Sequence, residues 1–215
     1  METRISPMAS YLCNPQEIYR RSFDIVREES ALDALPPGIA DIAVRLIHAC
    51  GMPDIVSDLA YSTKFDETAR AALRAGCTIV TDVRMTEVGI IRTRLPAQNT
   101  IACAIGDESA ADEAKRRGTT RAAVAIEKLA NQWAGGILAI GSAPTALFRA
   151  LELIEDGSPP PAAILGFPVG FVGAAESKEV LAAADTVPYI TVLGRRGGSA
   201  LAAAAVNALA AAPEA

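Results

Sequence analysis

One stretch of this sequence decides the fold, because it joins a short apolar run, a glycine turn and the start of a helix: Gly136-Ile137-Leu138-Ala139-Ile140-Gly141-Ser142-Ala143-Pro144-Thr145. The apolar run is continuous rather than alternating, which is typical of a strand buried on both faces of a sheet. A helix is predicted directly after it, over residues 144–154. A buried strand that passes straight into a helix indicates an α/β fold with a parallel sheet.

The same pattern repeats along the second half of the chain. Strands are predicted at residues 78–81, 100–105, 136–140, 162–165 and 189–193. Helices are predicted at residues 110–117, 121–133, 144–154, 176–183 and 199–212, after three N-terminal helices of which the third covers 63–75. The sequence therefore predicts a three-layer α/β fold, with a mostly parallel sheet of about five strands and helices on both faces. With no linker or repeat, we expect one domain over residues 1–215, of which 1–13 are irregular.

Composition limits the possible functions. The chain has 215 residues, of which 51% are hydrophobic but only 5% aromatic, and its net charge is −5 at pH 7. An acidic chain lacks the basic surface that phosphate binding requires, so nucleic acid is not an expected partner. No apolar run reaches the roughly eighteen residues that span a bilayer, and the N-terminal segment lacks the order of a signal peptide. These features predict a cytoplasmic protein without a membrane contact.

The four cysteines, Cys13, Cys50, Cys77 and Cys103, are far apart in the sequence. In a large chain without a secretion signal we expect buried, reduced thiols rather than disulfides. A single histidine and scattered cysteines do not favour a zinc or redox-metal site. Neither a Walker loop nor a Gly-x-Gly-x-x-Gly turn is present. We therefore predict no metal and no cofactor.

The only histidine, His48, is the first candidate for proton transfer, since imidazole is the side chain that ordinarily titrates near neutral pH. Helical spacing places Asp41, Arg45 and His48 on the face opposite an apolar stripe. Gly51 suits the left-handed position after a helix, so His48 is expected in the last turn. There the helix dipole favours the imidazolium, whereas Arg45 opposes it. The alternative is a surface histidine that helps to cap the helix.

A second polar candidate, Ser22, lies on the first helix, which is predicted to begin at Pro15. Ser22 falls in the middle of an apolar stripe formed by Ile18, Ile25 and Val26. A hydroxyl in that position must form a hydrogen bond, either with the carbonyl four residues earlier or with a ligand. Both alternatives remain open from the sequence.

Glycine-rich turns follow three of the predicted strands, at residues 141–145, 166–173 and 194–199. The carboxyl ends of parallel strands are where ligands bind in open α/β folds, and free amides at the following helix starts favour anions. Arg45 and Arg121 are candidate carboxylate ligands because a guanidinium binds carboxylates bidentately. For each loop a tight turn without a ligand, and for each arginine a solvated charge, is the alternative.

Seven segments in a fixed order resemble the precorrin-8X methylmutase family of cobalamin biosynthesis. Two of them read Ile18-Tyr19-Arg20-Arg21-Ser22-Phe23 and Arg45-Leu46-Ile47-His48-Ala49-Cys50-Gly51. The others lie at residues 71–76, 119–123, 141–147, 166–178 and 194–200. The resemblance extends from about Asn14 to Leu209.

The resemblance implies an isomerase, an intramolecular transferase that moves a methyl group from C11 to C12 of the tetrapyrrole precorrin-8X and forms hydrogenobyrinate. It matches His48 to the family's histidine and Ser22, Arg45 and Arg121 to its substrate-binding positions. It also implies a homodimer with the active site at the subunit interface, and no cofactor.

The sequence departs from the family at Ile91, where a threonine is frequent, and at Ser142, where an asparagine is usual. These changes affect contacts with the ring rather than the reaction. Two other functions remain open. One is a mutase acting on the cobalt-containing precursor of the anaerobic pathway, and the other is a non-catalytic tetrapyrrole carrier.

Overall fold

The computed structural model describes residues 11–211. The α-helices are α1 (Pro15–Glu29), α2 (Pro37–Cys50), α3 (Phe65–Arg74), α4 (Arg84–Gly89), α5 (Glu108–Arg117), α6 (Arg121–Lys128), α7 (Pro144–Glu155), α8 (Ala174–Ala184) and α9 (Ser199–Ala210). The strands are β1 (Leu59–Tyr61), β2 (Ile79–Thr81), β3 (Ile101–Ala102), β4 (Ile137–Ile140), β5 (Ala163–Gly166) and β6 (Tyr189–Val192). Short 3₁₀ helices lie at Pro53–Asp58, Arg92–Arg94 and Ala130–Gln132.

The strands form one sheet in the order β1-β6-β5-β4-β2-β3. All neighbouring pairs are parallel except β1 and β6, which are antiparallel. β4 is central and lies between β5 and β2, with Leu138 opposite Ile164 and Val80. The predicted mostly parallel α/β sheet is confirmed.

Two hydrophobic cores cover the two faces of this sheet. Ile137 and Ala139 of β4 point into the core beneath α2, α3 and α9, whereas Leu138 and Ile140 point into the core beneath α6, α7 and α8. All four residues are fully buried. Successive side chains of a strand point to opposite faces, so a strand buried on both faces must be apolar throughout. α1 packs on α2, outside the first layer.

Two elements were missed in the sequence, and their shortness explains why. β1 has three half-buried residues at the sheet edge, and only its pairing with β6 makes it a strand. α4 has six residues without a side-chain cap. β3 is shorter than predicted, since only Ile101–Ala102 pair with β2. Of the N-terminal segment predicted to be irregular, residues 1–10 lie outside the described residues, and 11–13 form no helix or strand.

The predicted apolar stripe on α1 is wrong in part. Phe23 and Val26 are buried, but Ile18 and Ile25 are 43% and 36% exposed. α1 packs mainly on α2, outside the helices that cover the sheet, so only a narrow strip of its surface is covered. The helix therefore presents apolar side chains at the surface of the chain.

The four cysteines are free thiols, but the expectation that they are buried is wrong. Cys13 is exposed, and Cys50, Cys77 and Cys103 are half-buried. Partial burial raises the pKa of the Cys50 and Cys77 thiols, because it disfavours the thiolate. Over residues 11–211, no helix is long and apolar enough to cross a membrane.

Candidate active site

His48 lies in the last turn of α2, as its sequence context predicts. Gly51 ends the helix in the left-handed conformation, with φ of 69°, and its N–H donates to the Ile47 carbonyl at 2.7 Å. Ile42 and Leu46 are completely buried and fix the rotation of the helix. His48 is thereby placed on the outward face, where it is exposed.

The partner of His48 is Ser22. The Ser22 Oγ lies 2.9 Å from the His48 Nδ1, across the contact between α1 and α2. This bond joins two helices and therefore differs from the bond to the carbonyl four residues earlier that the sequence left open. Since Nδ1 is engaged by the serine, Nε2 is the nitrogen through which His48 can act on a ligand.

Two aromatic rings of α1 enclose the imidazole. The ring centroids of Tyr19 and Phe23 lie 5.6 and 5.2 Å from that of His48, and both pairs meet edge to face. Arg45 completes the cluster, because its guanidinium donates a hydrogen bond to the Tyr19 hydroxyl and lies 5.0 Å from the Phe23 centroid. Tyr19, Ser22 and Phe23 are three or four residues apart, so one face of α1 supplies all of these contacts.

Two cavities adjoin this cluster. One, of about 200 Å³, contains His48 and Ser22 and extends to Gly51 and Pro53. The other, of about 640 Å³, has Tyr19 and Phe23 in its wall. Its charged lining consists of Arg20, Asp24, Arg27 and Arg94. An excess of positive charge suits an anionic ligand. The sequence did not reveal this cavity, because Arg94 belongs to a 3₁₀ helix far from α1 in the chain.

Arg121 lies elsewhere, at the start of α6. Its N-cap residue Thr120 accepts from the Ala123 N–H, and its hydroxyl lies 2.7 Å from that of Thr145 at the start of α7. The Arg121 guanidinium is exposed and approaches the Asp107 carbonyl at 3.5 Å. The structure therefore brings Ser22, Arg45 and His48 together, whereas Arg121 lies on α6, beside Asp107.

The backbone amides of the turn at residues 141–145 are hydrogen-bonded to a side-chain carboxylate of this chain. The buried carboxylate of Asp82 accepts from the Gly141, Ser142 and Ala143 amides at 3.0, 2.8 and 2.8 Å. The Thr86 hydroxyl donates to the same carboxylate at 3.3 Å. The expectation that this turn offers free amides to a ligand is therefore wrong. An acidic residue directly after a buried strand, as Asp82 follows β2, was the signal that could have revealed it.

The other two glycine-rich turns are joined to each other. The Gly198 N–H donates to the Phe167 carbonyl at 2.8 Å, and the Gly170 N–H to the Arg195 carbonyl at 3.2 Å. A Cβ on Gly197 would lie 2.4 Å from the Phe167 oxygen, so only glycine permits this approach. The turns thus form one unit at the carboxyl edge of β5 and β6.

A buried lysine and an ion-paired arginine hold that unit. Lys178 is fully buried, and its ammonium donates to the Arg196 carbonyl at 2.6 Å. Desolvation lowers the pKa of Lys178 to about 8. The Arg196 guanidinium binds Asp54 at 2.6 Å and Asp58 at 2.5 Å, both in the 3₁₀ helix that follows α2. The helix of His48 and the glycine-rich turns are therefore tied together.

In the part of the chain that the structure describes, no group of three or more His, Cys, Asp or Glu side chains could hold a metal ion. The polar groups that converge are an imidazole, a hydroxyl and guanidinium groups. Such a set can move a proton and bind carboxylates.

Comparisons with known proteins agree on one family. The family model for precorrin-8X methylmutase matches residues 17–212. The chain is 52% identical to a precorrin-8X methylmutase of Pseudomonas aeruginosa, over 94% of this chain and 98% of that protein. It is 38% identical to a cobalt-precorrin-8 methylmutase of Priestia megaterium, over 91% and 87%. A crystal structure of a precorrin-8X methylmutase from Thermus thermophilus matches with a TM-score of 0.83 and 33% identity, over 91% of this chain and 94% of that one.

Proposed function

This chain belongs to the precorrin-8X methylmutase family of intramolecular methyl transferases, and from that premise we propose that His48 is the acid that drives the migration from C11 to C12. The observation that carries this role is the hydrogen bond between the Ser22 hydroxyl and the His48 Nδ1. It orients the imidazole and directs Nε2 to the ligand side. Protonation of the conjugated ring makes the receiving carbon electron-poor, and the methyl group migrates with its bonding electrons.

The serine suits an imidazole that gains and loses a proton. A hydroxyl can accept from the Nδ1–H of the imidazolium and equally from the Nδ1–H of the neutral imidazole that remains after Nε2 has given its proton to the ring. Ser22 therefore supports both protonation states without changing its position. Because the reaction is an isomerisation, the proton returns after migration and the enzyme ends unchanged.

Arg45 and Arg121 are proposed to bind the acetate and propionate groups of the macrocycle. Arg45 already donates to Tyr19, but a guanidinium has five N–H donors and can bind a carboxylate in addition. Its place beside His48 supports contact with a carboxylate near the reacting carbon. Arg121 has an exposed guanidinium at the start of α6, next to the start of α7, and this position supports a role toward a more distant group.

A homodimer would complete the site. The cavity at His48 measures about 200 Å³, less than the roughly 300–1,000 Å³ typical of small-molecule sites, and a tetrapyrrole is a large ligand. Exposed apolar side chains lie on α1 and also on α4, where Met85 and Val88 are 71% and 72% exposed. A second subunit that covers them would enclose the ligand and exclude water. We also propose that residues 1–215 act as one cytoplasmic domain.

Mixing two inactive variants tests the shared site. If His48 and Arg121 reach one pocket from different subunits, chains carrying His48→Ala and Arg121→Ala should together recover part of the activity that each lacks. Light scattering gives the mass in solution. A monomer that turns over normally at micromolar concentration would overturn the dimer proposal.

We propose the metal-free precursor as the substrate. The support is the 52% identity to a precorrin-8X methylmutase, against 38% to a cobalt-precorrin-8 methylmutase. Assays with both precursors test the choice. Faster turnover of the cobalt form would reverse it.

The decisive experiment compares turnover with binding. Absorbance of precorrin-8X mixed with the protein reports methyl migration, and a titration with product reports affinity. His48→Ala should lower kcat about 10²–10⁴-fold and leave product affinity close to wild type, because binding is spread over many contacts. Arg45→Ala should weaken binding about tenfold or more, as expected for a lost charge-assisted hydrogen bond. A His48→Ala variant with normal turnover would exclude the acid role, and a wild type that binds without turnover would indicate a carrier.

A further inference from the structure

A third cavity lies at the carboxyl edge of the sheet. It measures about 310 Å³ and is lined by Met52, by residues 169–171 and by residues 195–197. The cavity of His48 ends at Gly51 and Pro53, on either side of Met52. Consecutive residues, 51–53, therefore line the two cavities, which places both beside the segment that follows α2.

The two adjacent arginines of this cavity differ in what they contact. The Arg196 guanidinium forms ion pairs with Asp54 and Asp58. The Arg195 guanidinium is exposed and lies 5.3 Å from the centroid of the Phe171 ring, and among residues 11–211 it has no carboxylate partner. The Arg195 backbone is fixed, since its carbonyl accepts from the Gly170 N–H. A fixed backbone thus carries a guanidinium that is held over a ring and is not neutralised.

The Phe171 ring next to Arg195 is accessible to a ligand. The ring is 84% exposed, which is unusual for a large apolar side chain and is not required by packing. Stacking of a guanidinium on an aromatic face holds the planar fork in one orientation and leaves its edge free for a carboxylate. A ligand whose carboxylate binds the Arg195 guanidinium can at the same time pack its hydrocarbon part against the Phe171 ring.

We propose that Arg195 and Phe171 form a subsite for a peripheral carboxylate of the macrocycle, on the side of the ring away from His48. The inference rests on the proposed function and extends it to a specificity contact. Arg195 binds the carboxylate bidentately, while Phe171 packs against the edge of the ring. A ring that carries an ester or amide at that position binds more weakly, because it presents no negative charge to the guanidinium.

The test uses the full-length protein, with hydrogenobyrinate as the probe of affinity and precorrin-8X as the substrate for kcat and KM, both followed by absorbance. Arg195→Ala should raise the dissociation constant and KM about tenfold to hundredfold with little change in kcat, because the contact lies away from the reacting carbon. Arg195→Lys should recover part of the loss, since it keeps the charge but not the planar fork. Arg116→Ala, an exposed arginine on α5, is the matched control and should bind like wild type.

Complete esterification of the probe separates the outcomes. With esterified probe, Arg195→Ala and wild type should bind equally. If wild type turns over normally and Arg195→Ala keeps its affinity for the free acid, the subsite is excluded while the proposed function stands. If wild type neither binds nor converts the tetrapyrrole, the proposed function itself fails, and this inference with it.

Discussion

Asp82 and His48 are both polar side chains held by hydrogen bonds between different elements, but their surroundings are opposite. Asp82 is 1% exposed, and amides of its own chain and a hydroxyl satisfy its carboxylate. His48 is exposed, has one nitrogen engaged by Ser22, and lies in a cavity. A buried polar group without its partners costs stability, whereas an exposed one is free to act on a ligand. The difference separates a carboxylate that joins two parts of the fold from an imidazole that a ligand can reach.

Removal of the Asp82 carboxylate should have the largest effect on stability. Asp82→Ala leaves three amides without their acceptor, and each buried unsatisfied group costs about 1–3 kcal/mol, so we expect a loss of about 3 kcal/mol or more. Urea unfolding measures it. Asp112→Ala, an exposed aspartate on α5, is the matched control and should change stability by less than about 0.5 kcal/mol. Equal stability of the two variants would contradict a structural role for Asp82.

Removal of the Ser22 hydroxyl should affect activity and not stability. Ser22→Ala frees the imidazole to rotate, so we expect kcat to fall about tenfold while product affinity and the free energy of unfolding stay near wild type. Ser22→Thr restores the hydroxyl and should recover most of the loss. Ser57→Ala, which removes an exposed hydroxyl bonded to the Asp54 carbonyl, is the control. A fall in stability without a fall in kcat would place Ser22 with Asp82 rather than with His48.

The smallest effect concerns Lys178, a buried polar group whose contribution depends on pH. Its pKa is about 8 in the folded protein against 10.5 ordinarily, so between these values the unfolded chain binds more protons. The contribution of Lys178 to stability therefore rises as the pH rises through this range, since the folded lysine is already neutral. The free energy of unfolding of wild type, minus that of Lys178→Met, should be larger at pH 9.5 than at pH 7.5. A difference that does not rise with pH would show that the buried amine keeps its charge over this range.

Much of the fold follows from local pattern. The continuous apolar runs at β2, β4, β5 and β6 indicate strands buried on both faces, because the runs are short and a strand covered on both sides hides every one of its side chains. Gly51 marks the end of α2 and with it the place of His48. β1 and α4 carry no such pattern. β1 exists because β6 offers it an edge to pair with, which no property of three residues can reveal.

The candidate site, like the fold, was predicted from the sequence only in part. The sequence selects Ser22, Arg45 and His48 as chemically meaningful side chains through helical spacing and through resemblance to a family. It does not show that Ser22 is the partner of His48, since the two lie on different helices and meet only through the packing of α1 on α2. Nor does it show that Arg195 and Arg196, which are neighbours in the chain, contact different partners.

What the sequence by itself determined is the class of fold, the location of the one histidine at a helix end and the family. These depend on short-range periodicity and on residue identity, which a chain carries before it folds. What only the tertiary structure decided is which polar groups form hydrogen bonds or ion pairs with each other. The Asp82 carboxylate accepts from the amides of the turn that was predicted to bind a ligand. Asp54 and Asp58 form ion pairs with Arg196, and the Ser22 hydroxyl is hydrogen-bonded to one nitrogen of His48. Hydrogen bonds between distant segments act over about 3 Å, so they exist only after the chain has brought those segments together.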